Sequence, residues 1–355
     1  MHKDSKIFIA GHRGLVGSSI HKELSDQDFS NLLVRNKSEL DLLDTVAVKK
    51  FFEEQKPDVV FLAAAKVGGI LANNTYRADF LYENLTIQNN VIHSAYLSGV
   101  KKLIFLGSSC IYPKNAPCPI KEDSLLTAPL EYTNEPYAIA KIAGLKLCES
   151  YNLQYKTNFI SLMPTNMYGP NDNYNLASSH VMPALIRKIV LAKWLEEGKL
   201  DLVKNNLKDE CPSDIKDIKA YLKNFGITKD SVIIWGSGRP RREFLHSSDL
   251  AKACVFVAKN VNFKDLIADK KEIRNTHINV GYGKDISIAE LAGMIKDIVG
   301  FKGSLVHDIS KPDGVMQKVM DVSKLEKLGF KPQVGLKEGV SQVIASYLES
   351  FESKQ

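Results

Sequence analysis

The 355-residue sequence contains no apolar run approaching the roughly 18 to 20 residues that a membrane-crossing helix needs. Its first residues, Met1-His2-Lys3-Asp4-Ser5-Lys6, lead straight into a strand pattern without the apolar centre of a secretion signal. Cysteine is sparse: five residues, at 110, 118, 148, 211 and 254, an odd number with no Cys-x-x-Cys pair. That argues against a disulfide framework or a zinc ribbon and predicts a reduced, cytoplasmic protein. An excess of one charge is also missing. Forty-seven Lys and Arg against 41 Asp and Glu leave a net charge of +6, and the basic residues are scattered. Nucleic-acid binding gains nothing from this, whereas an anionic small substrate is compatible with it. What remains is an ordinary globular composition, long enough for about two domains with their own cores.

The first apolar run, Lys6 to Ala10, feeds Gly11-His-Arg-Gly14-Leu-Val-Gly17 and then an amphipathic stretch from Ser18 to Leu24. Strand, glycine turn and helix in that order predict a dinucleotide-binding loop. Gly11 allows the turn, Gly14 lets backbone approach a pyrophosphate, and Gly17 lets the helix pack against its strand. With Leu15 and Val16 opening the helix, the phosphates meet unpaired backbone N–H groups. The alternative is a plain strand-loop-helix with incidental glycines. The next strand, Leu32-Leu33-Val34, ends at Arg35-Asn36-Lys37. An NAD site wants a carboxylate there; Arg35 and Lys37, with Arg13 in the loop, instead suit a 2′-phosphate and predict NADP(H). A solvated basic turn is the bland reading. Strand Asp58–Leu62, a helix over 73–97 and strand Lys102–Leu106 continue the alternation and predict a Rossmann-type doubly wound parallel sheet.

Leu106-Gly107-Ser108-Ser109-Cys110 follows a strand end, where ligands of open α/β sheets bind. Farther on, Asn134-Glu135-Pro136-Tyr137-Ala-Ile-Ala-Lys141 opens a helix, and the i, i+4 spacing sets Tyr137 and Lys141 on one face. An ammonium near a phenol lowers its pKa, and a serine hydroxyl can share its hydrogen bond, which makes a proton donor for a carbonyl. Tyr-x-x-x-Lys alone is common on exposed helix faces; in this context it reads as chemistry.

These motifs resemble the extended short-chain dehydrogenase/reductase family and, within it, the GDP-L-fucose synthase subgroup. Segments 11–17, 63–70, 107–113, 134–141, 163–170, 179–183 and 242–246 carry the likeness. The resemblance implies a smaller C-terminal substrate domain and a GDP-4-keto-6-deoxy sugar as substrate. It makes Ser108, Tyr137 and Lys141 the reduction triad, and Cys110 with His180 the acid–base pair that epimerises C3 and C5. It also implies that Leu106, Gly107, Pro164, Asn166, Met167 and His180 line the cofactor, and that Lys188, Trp235, Arg242 and Lys311 hold the GDP-sugar. A 4-keto group acidifies both neighbouring C–H bonds, and a thiol and an imidazole titrate near neutrality once perturbed. Taken singly, Cys110 reads equally as a small buried residue, His180 as a hydrogen-bonded loop histidine, Lys188 as a surface lysine and Trp235 as a packing residue. No carboxylate occurs between Gly107 and Pro119. The dehydratases of the family place an Asp-Glu pair there, so dehydration is disfavoured, as is simple 4-epimerisation.

The expected division is residues 1–170 for the NADP-binding domain, with later strands returning from about 230–260, and 171–355 mainly for substrate. At about 198–230 the chain is longer than the family pattern, with apolar residues at Ile215, Ile218, Tyr221, Leu222 and Phe225 in helical spacing. A docked surface excursion and a remodelled sugar pocket both fit. The excursion keeps a heptose-based GDP-4-keto sugar open, with this chain as a C4 reductase and epimerisation done by a separate enzyme. A non-catalytic NADP(H) sensor is the remaining class, and such a protein is expected to lack the triad tyrosine. The resemblance further implies a homodimer formed through paired helices, the one bearing Tyr137 included.

Overall fold

The computed structural model describes residues 1–208, 210, 218–268 and 271–352. In chain order its elements are β1 (Ile7–Ala10), α1 (Leu15–Asp26), β2 (Leu32–Leu33), α2 (Thr45–Gln55), β3 (Val59–Leu62), α3 (Ile70–Thr75), α4 (Arg77–Leu97), β4 (Lys102–Leu106), α5 (Glu135–Tyr155) and β5 (Phe159–Pro164). After these come β6 (Asn166–Tyr168), α6 (Val181–Glu196), α7 (Leu200–Leu207), α8 (Ile218–Asn224), β7 (Ser231–Trp235), β8 (Arg241–His246), α9 (Ser247–Asn260), β9 (Ile278–Val280), β10 (Asp285–Ser287), α10 (Ile288–Val299), β11 (Ser304–Asp308), β12 (Gln317–Lys318), α11 (Ser323–Lys327) and α12 (Leu336–Glu352).

Two compact units divide the chain. The first is Met1–Met167 with Glu243–Gly283 and Val319–Gln333; the second is Tyr168–Arg242 with Lys284–Lys318 and Val334–Gln355. In the first unit six strands run in the order β2-β1-β3-β4-β5-β9, and every pairing is parallel. The continuous apolar runs of the sequence have this cause: both faces of the sheet are covered, so strand residues of either parity are buried. Ile7 and Ile9 join a core with α1 and α9, while Phe8 and Ala10 join the opposite core with Phe51, Phe52 and Val91. From β1 the chain moves to β2 on one side and to β3 on the other, so the crevice beyond the β1 and β3 ends is the switch point of the sheet.

The helix expected over 73–97 divides at Tyr76, whose φ of −104° and ψ of 45° interrupt the helical backbone and start α4 afresh. In the second unit β7 pairs in parallel with β11, and β12 pairs with the Arg241–Arg242 end of β8. The 198–230 excursion supplies α7 and α8. Arg187 of α6 ties α7 down by donating to the Asn206 side chain (2.8 Å) and carbonyl (2.8 Å), and Asn206 in turn donates to the Tyr347 hydroxyl (2.7 Å). Ile218, Tyr221 and Leu222 fall on α8, and Phe225 follows it with its ring 5.2 Å from that of Tyr221. Ile215 lies outside the described residues.

Candidate active site

The glycine loop takes the form its sequence predicts. Gly11 has a φ of +90°, a conformation L side chains rarely adopt, and a Cβ there would meet the Ala64 backbone nitrogen at 2.7 Å. A Cβ on Gly17 would lie 2.1 Å from the Gly11 carbonyl oxygen, so only glycine lets α1 start this close to β1. Gly14 is different: its nearest neighbour would be at 3.6 Å, an ordinary contact. It is the N-cap of α1 and carries no capping side chain, which leaves the first-turn N–H groups without a side-chain acceptor. The loop therefore fits a dinucleotide pyrophosphate, which the uncapped backbone donors of the first turn suit.

The three cations differ in setting. Arg13 is exposed on this loop. Arg35 follows β2, the strand beside β1; its guanidinium donates to the Val34 carbonyl (2.7 Å) and lies 5.7 Å from the Phe51 ring centre. Lys37 is exposed, 3.8 Å from Asp41, a pair that solvent leaves weak. Among the other expected cofactor contacts, Asn166 donates to the Glu243 carbonyl (2.8 Å) and Met167 packs on the core beneath the sheet, so both also hold the fold together. Gly107 donates to the Leu162 carbonyl (2.9 Å), and a Cβ there would strike the Met163 sulfur.

At the end of β4, Ser108 caps a short 3-10 turn, accepting at its hydroxyl from the Cys110 N–H (3.3 Å). Pro136, second residue of α5, fits a first turn that needs no amide donor there. One turn apart on that helix, Tyr137 and Lys141 face the turn. The Lys141 ammonium donates to the Leu106 carbonyl (2.8 Å) and lies 5.7 Å from the Tyr137 ring centre and 4.9 Å from that of Phe105. The Cys110 thiol is within electrostatic reach of both. Ser108, Cys110, Tyr137 and Lys141 thus form one cluster beyond the carboxyl end of the sheet.

One expectation is corrected. The phenol of Tyr137 is not lowered by its lysine in this state; loss of solvent pushes it well up, and proximity to Cys110 adds to the rise. The ammonium spends its hydrogen bond on the Leu106 carbonyl instead of the phenol oxygen, and burial lowers its own pKa to about 8. The tyrosine consequently stays protonated, the form a proton donor needs.

The remaining residues belong to the second unit. His180 is the N-cap of α6, exposed, with its carbonyl accepting from Ala184. Lys188, on the same helix, reaches the Ile233 carbonyl of β7 (3.5 Å), and burial lowers its pKa. Two residues further, Trp235 is 68% exposed, with the Lys311 ammonium 5.5 Å from its ring. Arg242 donates to the Val315 carbonyl (2.5 Å), while Arg241 pairs with Asp285 (2.8 Å) and Arg239 is exposed. Asp313 lies in the Lys311-Pro-Asp-Gly314 segment that the family resemblance marks, but its own role was not foreseen. Its carboxylate accepts from both the N–H (2.8 Å) and the hydroxyl (2.6 Å) of Ser237, which binds the 311–314 loop to the turn after Trp235. Sequence reasoning missed Phe80, whose ring stands edge-on to Tyr137 at 6.5 Å. Phe80 carries no motif, and the bond from Asp313 to Ser237 appears only in the folded chain.

Residues 7–209 and 210–281 match the model of the NAD dependent epimerase/dehydratase family. The chain belongs to that family. GDP-L-fucose synthase 1 of Arabidopsis thaliana is 49% identical over 348 residues, 98% of this chain and 94% of the relative. Two solved structures from Campylobacter jejuni are each 48% identical. A GDP-6-OMe-4-keto-L-xylo-heptose reductase superposes with a TM-score of 0.94, covering 99% of both chains. A GDP-D-glycero-L-gluco-heptose synthase, solved in the presence of NADPH, superposes with a TM-score of 0.92 over 98% of this chain and 99% of its own. Membership in the family accounts for the parallel sheet and the glycine loop together. Among the described residues no helix is long and apolar enough to cross a membrane, and no cluster of His, Cys, Asp and Glu is arranged to hold a metal.

Proposed function

We propose that this protein is an NADPH-dependent reductase of a GDP-4-keto-6-deoxy sugar, acting at C4, that also epimerises C3 and C5. The observation that carries the reading is the cluster of Tyr137, Lys141, Ser108 and Cys110 at the end of β4. When bound, NADPH supplies the hydride that reduces the carbonyl carbon. Tyr137 gives its hydroxyl proton to the carbonyl oxygen as that oxygen becomes an alkoxide, and Ser108 donates a hydrogen bond to the same oxygen. The tyrosinate that results is stabilised by the Lys141 ammonium one turn away. For epimerisation, Cys110 and His180 are assigned as base and acid. One removes the proton that the 4-keto group has acidified, and the other returns a proton to the opposite face. Arg13, Arg35 and Lys37 are assigned to the 2′-phosphate, and Lys188, Trp235, Arg242 and Lys311 to the GDP end, where cations suit a diphosphate and an indole suits a flat base.

Adding GDP-4-keto-6-deoxy-mannose to protein and NADPH should consume NADPH, and in D2O the product should carry deuterium at C3 and C5. No NADPH consumption with any GDP-4-keto sugar would sink the reading. A heptose substrate is the second reading. It is favoured by the two Campylobacter relatives, which match over nearly their whole length, and by α7 of the longer 198–230 segment, tied through Asn206 to the helix that carries Lys188. Turnover of a GDP-4-keto-heptose in preference to the hexose, without deuterium uptake, would decide for it. We further assign the protein to the cytoplasm as a homodimer. Its interface would use the outer faces of α4 and α5, where Leu97, Leu153 and Tyr155 are exposed.

A further inference from the structure

We propose that Arg77 is a positioning residue for Tyr137, holding the three residues before α5 and the first turn of that helix from outside the site. Arg77 opens α4, and its guanidinium makes three different contacts with the chain that leads into Tyr137. It stacks over the Tyr132 ring at 4.4 Å, donates to the Tyr132 carbonyl at 2.8 Å and stands 3.7 Å from the Glu135 carboxylate. Glu135 is two residues before Tyr137. The ion pair is partly solvated and weak by itself. The stacked plane and the carbonyl hydrogen bond fix the direction in which the guanidinium points, which a lysine could not reproduce.

The same helix stripe continues the grip. Phe80, one turn after Arg77, stands edge-on to the Tyr137 ring. Asn84, a turn further, accepts from the Lys66 N–H (2.9 Å) and donates to the Lys66 carbonyl (3.0 Å), fixing the loop after β3. Gln88 donates to the Ala140 carbonyl of α5 (2.6 Å). Spacing of i, i+3, i+7 and i+11 sets all four on one face. On the other side Glu131 accepts from the Asn134 N–H (3.2 Å), closing the short turn that Arg77 clasps. A phenol must be held to within a fraction of an ångström of its acceptor to transfer a proton efficiently, and the start of a helix frays unless something outside it is attached. Arg77 is that attachment.

The inference rests on Tyr137 as proton donor, so its test has one arm that needs no substrate. Crystal structures of the protein and of Arg77→Ala should show residues 132–137 displaced or disordered in the variant; an unmoved Tyr137 hydroxyl overturns the proposal. In turnover, Arg77→Ala should lower kcat about tenfold with both KM values within about twofold and with the melting temperature nearly kept, and Arg77→Lys should recover only part of the loss. Combined with Tyr137→Phe, Arg77→Ala should cost nothing further. An unchanged kcat, or a full additional loss in the Tyr137→Phe background, refutes it. Phe80→Leu, which keeps the core filled, should reproduce the kcat loss by removing the edge-on ring contact to Tyr137; unimpaired turnover in that variant counts against the brace.

Discussion

Lys141 stands one turn from Tyr137, its ammonium 5.7 Å from the phenol ring and hydrogen-bonded to the Leu106 carbonyl at 2.8 Å, with no carboxylate partner among the described residues. The lysine is 3% exposed, and burial lowers its pKa from 10.5 to about 8. Between those two values the unfolded chain binds a proton that the folded chain does not, so stability rises with pH across that window. Below about pH 8 the buried charge is carried at full cost.

Lys141→Met therefore separates stability from activity. Burial disfavours the charged lysine in the folded chain by an amount on the order of a few kcal/mol at pH 7, more than the roughly 1 kcal/mol lost when the Leu106 carbonyl is left without its donor. The variant should melt higher than the parent at pH 7 and lose the advantage toward pH 10.5, by calorimetry across pH. Its reductase kcat should fall by at least about a hundredfold, because the tyrosinate formed on proton transfer has lost its counter-charge. In the parent, kcat should decline as pH rises past about 8, where the lysine neutralises. A less stable Lys141→Met at pH 7 would contradict a buried ammonium carried at net cost.

Cys110→Ser should separate the two proposed chemistries. The thiol is within electrostatic reach of Tyr137 and Lys141, and the proposed hydride and phenolic proton transfers do not use it. Cys110→Ser should abolish deuterium uptake at C3 and C5 while C4 reduction of an already epimerised keto sugar stays within a few-fold of the parent, as read by mass spectrometry and NADPH absorbance. Deuterium uptake that survives the substitution would remove Cys110 from the epimerase role.

Much of this was legible in the sequence because glycine spacing, strand runs and the Tyr-x-x-x-Lys interval are local. The backbone of Gly11 and the close approach of Gly17 follow from residues a few positions apart. The sign of the Tyr137 shift was not legible. It depends on how much solvent the fold removes and on which oxygen Lys141 chooses, and the Leu106 carbonyl is 35 residues away. Arg77 and Phe80 escaped for the same reason: an arginine starting a helix and a buried phenylalanine have no pattern until distant segments meet. The break at Tyr76 falls after Asn73-Asn74-Thr75, weak helix formers whose signal the longer helical pattern on either side outweighed.

Two glycines of the loop should fail in different ways. Gly17→Ala forces a Cβ to within 2.1 Å of the Gly11 carbonyl, so backbone must move; the apoprotein should lose several degrees of melting temperature and NADPH affinity with it. Gly14→Ala meets nothing closer than 3.6 Å, so the apoprotein should melt within a degree or two of the parent. If phosphate approaches that backbone, as a dinucleotide loop requires, NADPH should nonetheless bind at least about tenfold more weakly by fluorescence titration. Undiminished NADPH binding by Gly14→Ala would remove the pyrophosphate from this turn.

The GDP end can be watched through its indole. The sequence has two tryptophans; Trp194 is 3% exposed and Trp235 68%, so quenching of the emission by GDP reports on Trp235. Lys311 already occupies a position over that ring, and the Asp313 carboxylate holds the loop through both donors of Ser237. Asp313→Asn keeps the shape but trades two charge-assisted hydrogen bonds for weaker neutral ones, which loosens the loop. GDP should then quench with a Kd roughly five- to tenfold higher, and KM for the GDP-sugar should rise alike, while kcat at saturation and KM for NADPH hold. Trp235→Leu should remove the quenching outright. Should GDP leave the emission of the parent protein unchanged, Trp235 has no place in the nucleotide site, and the base must be sought elsewhere in the second unit.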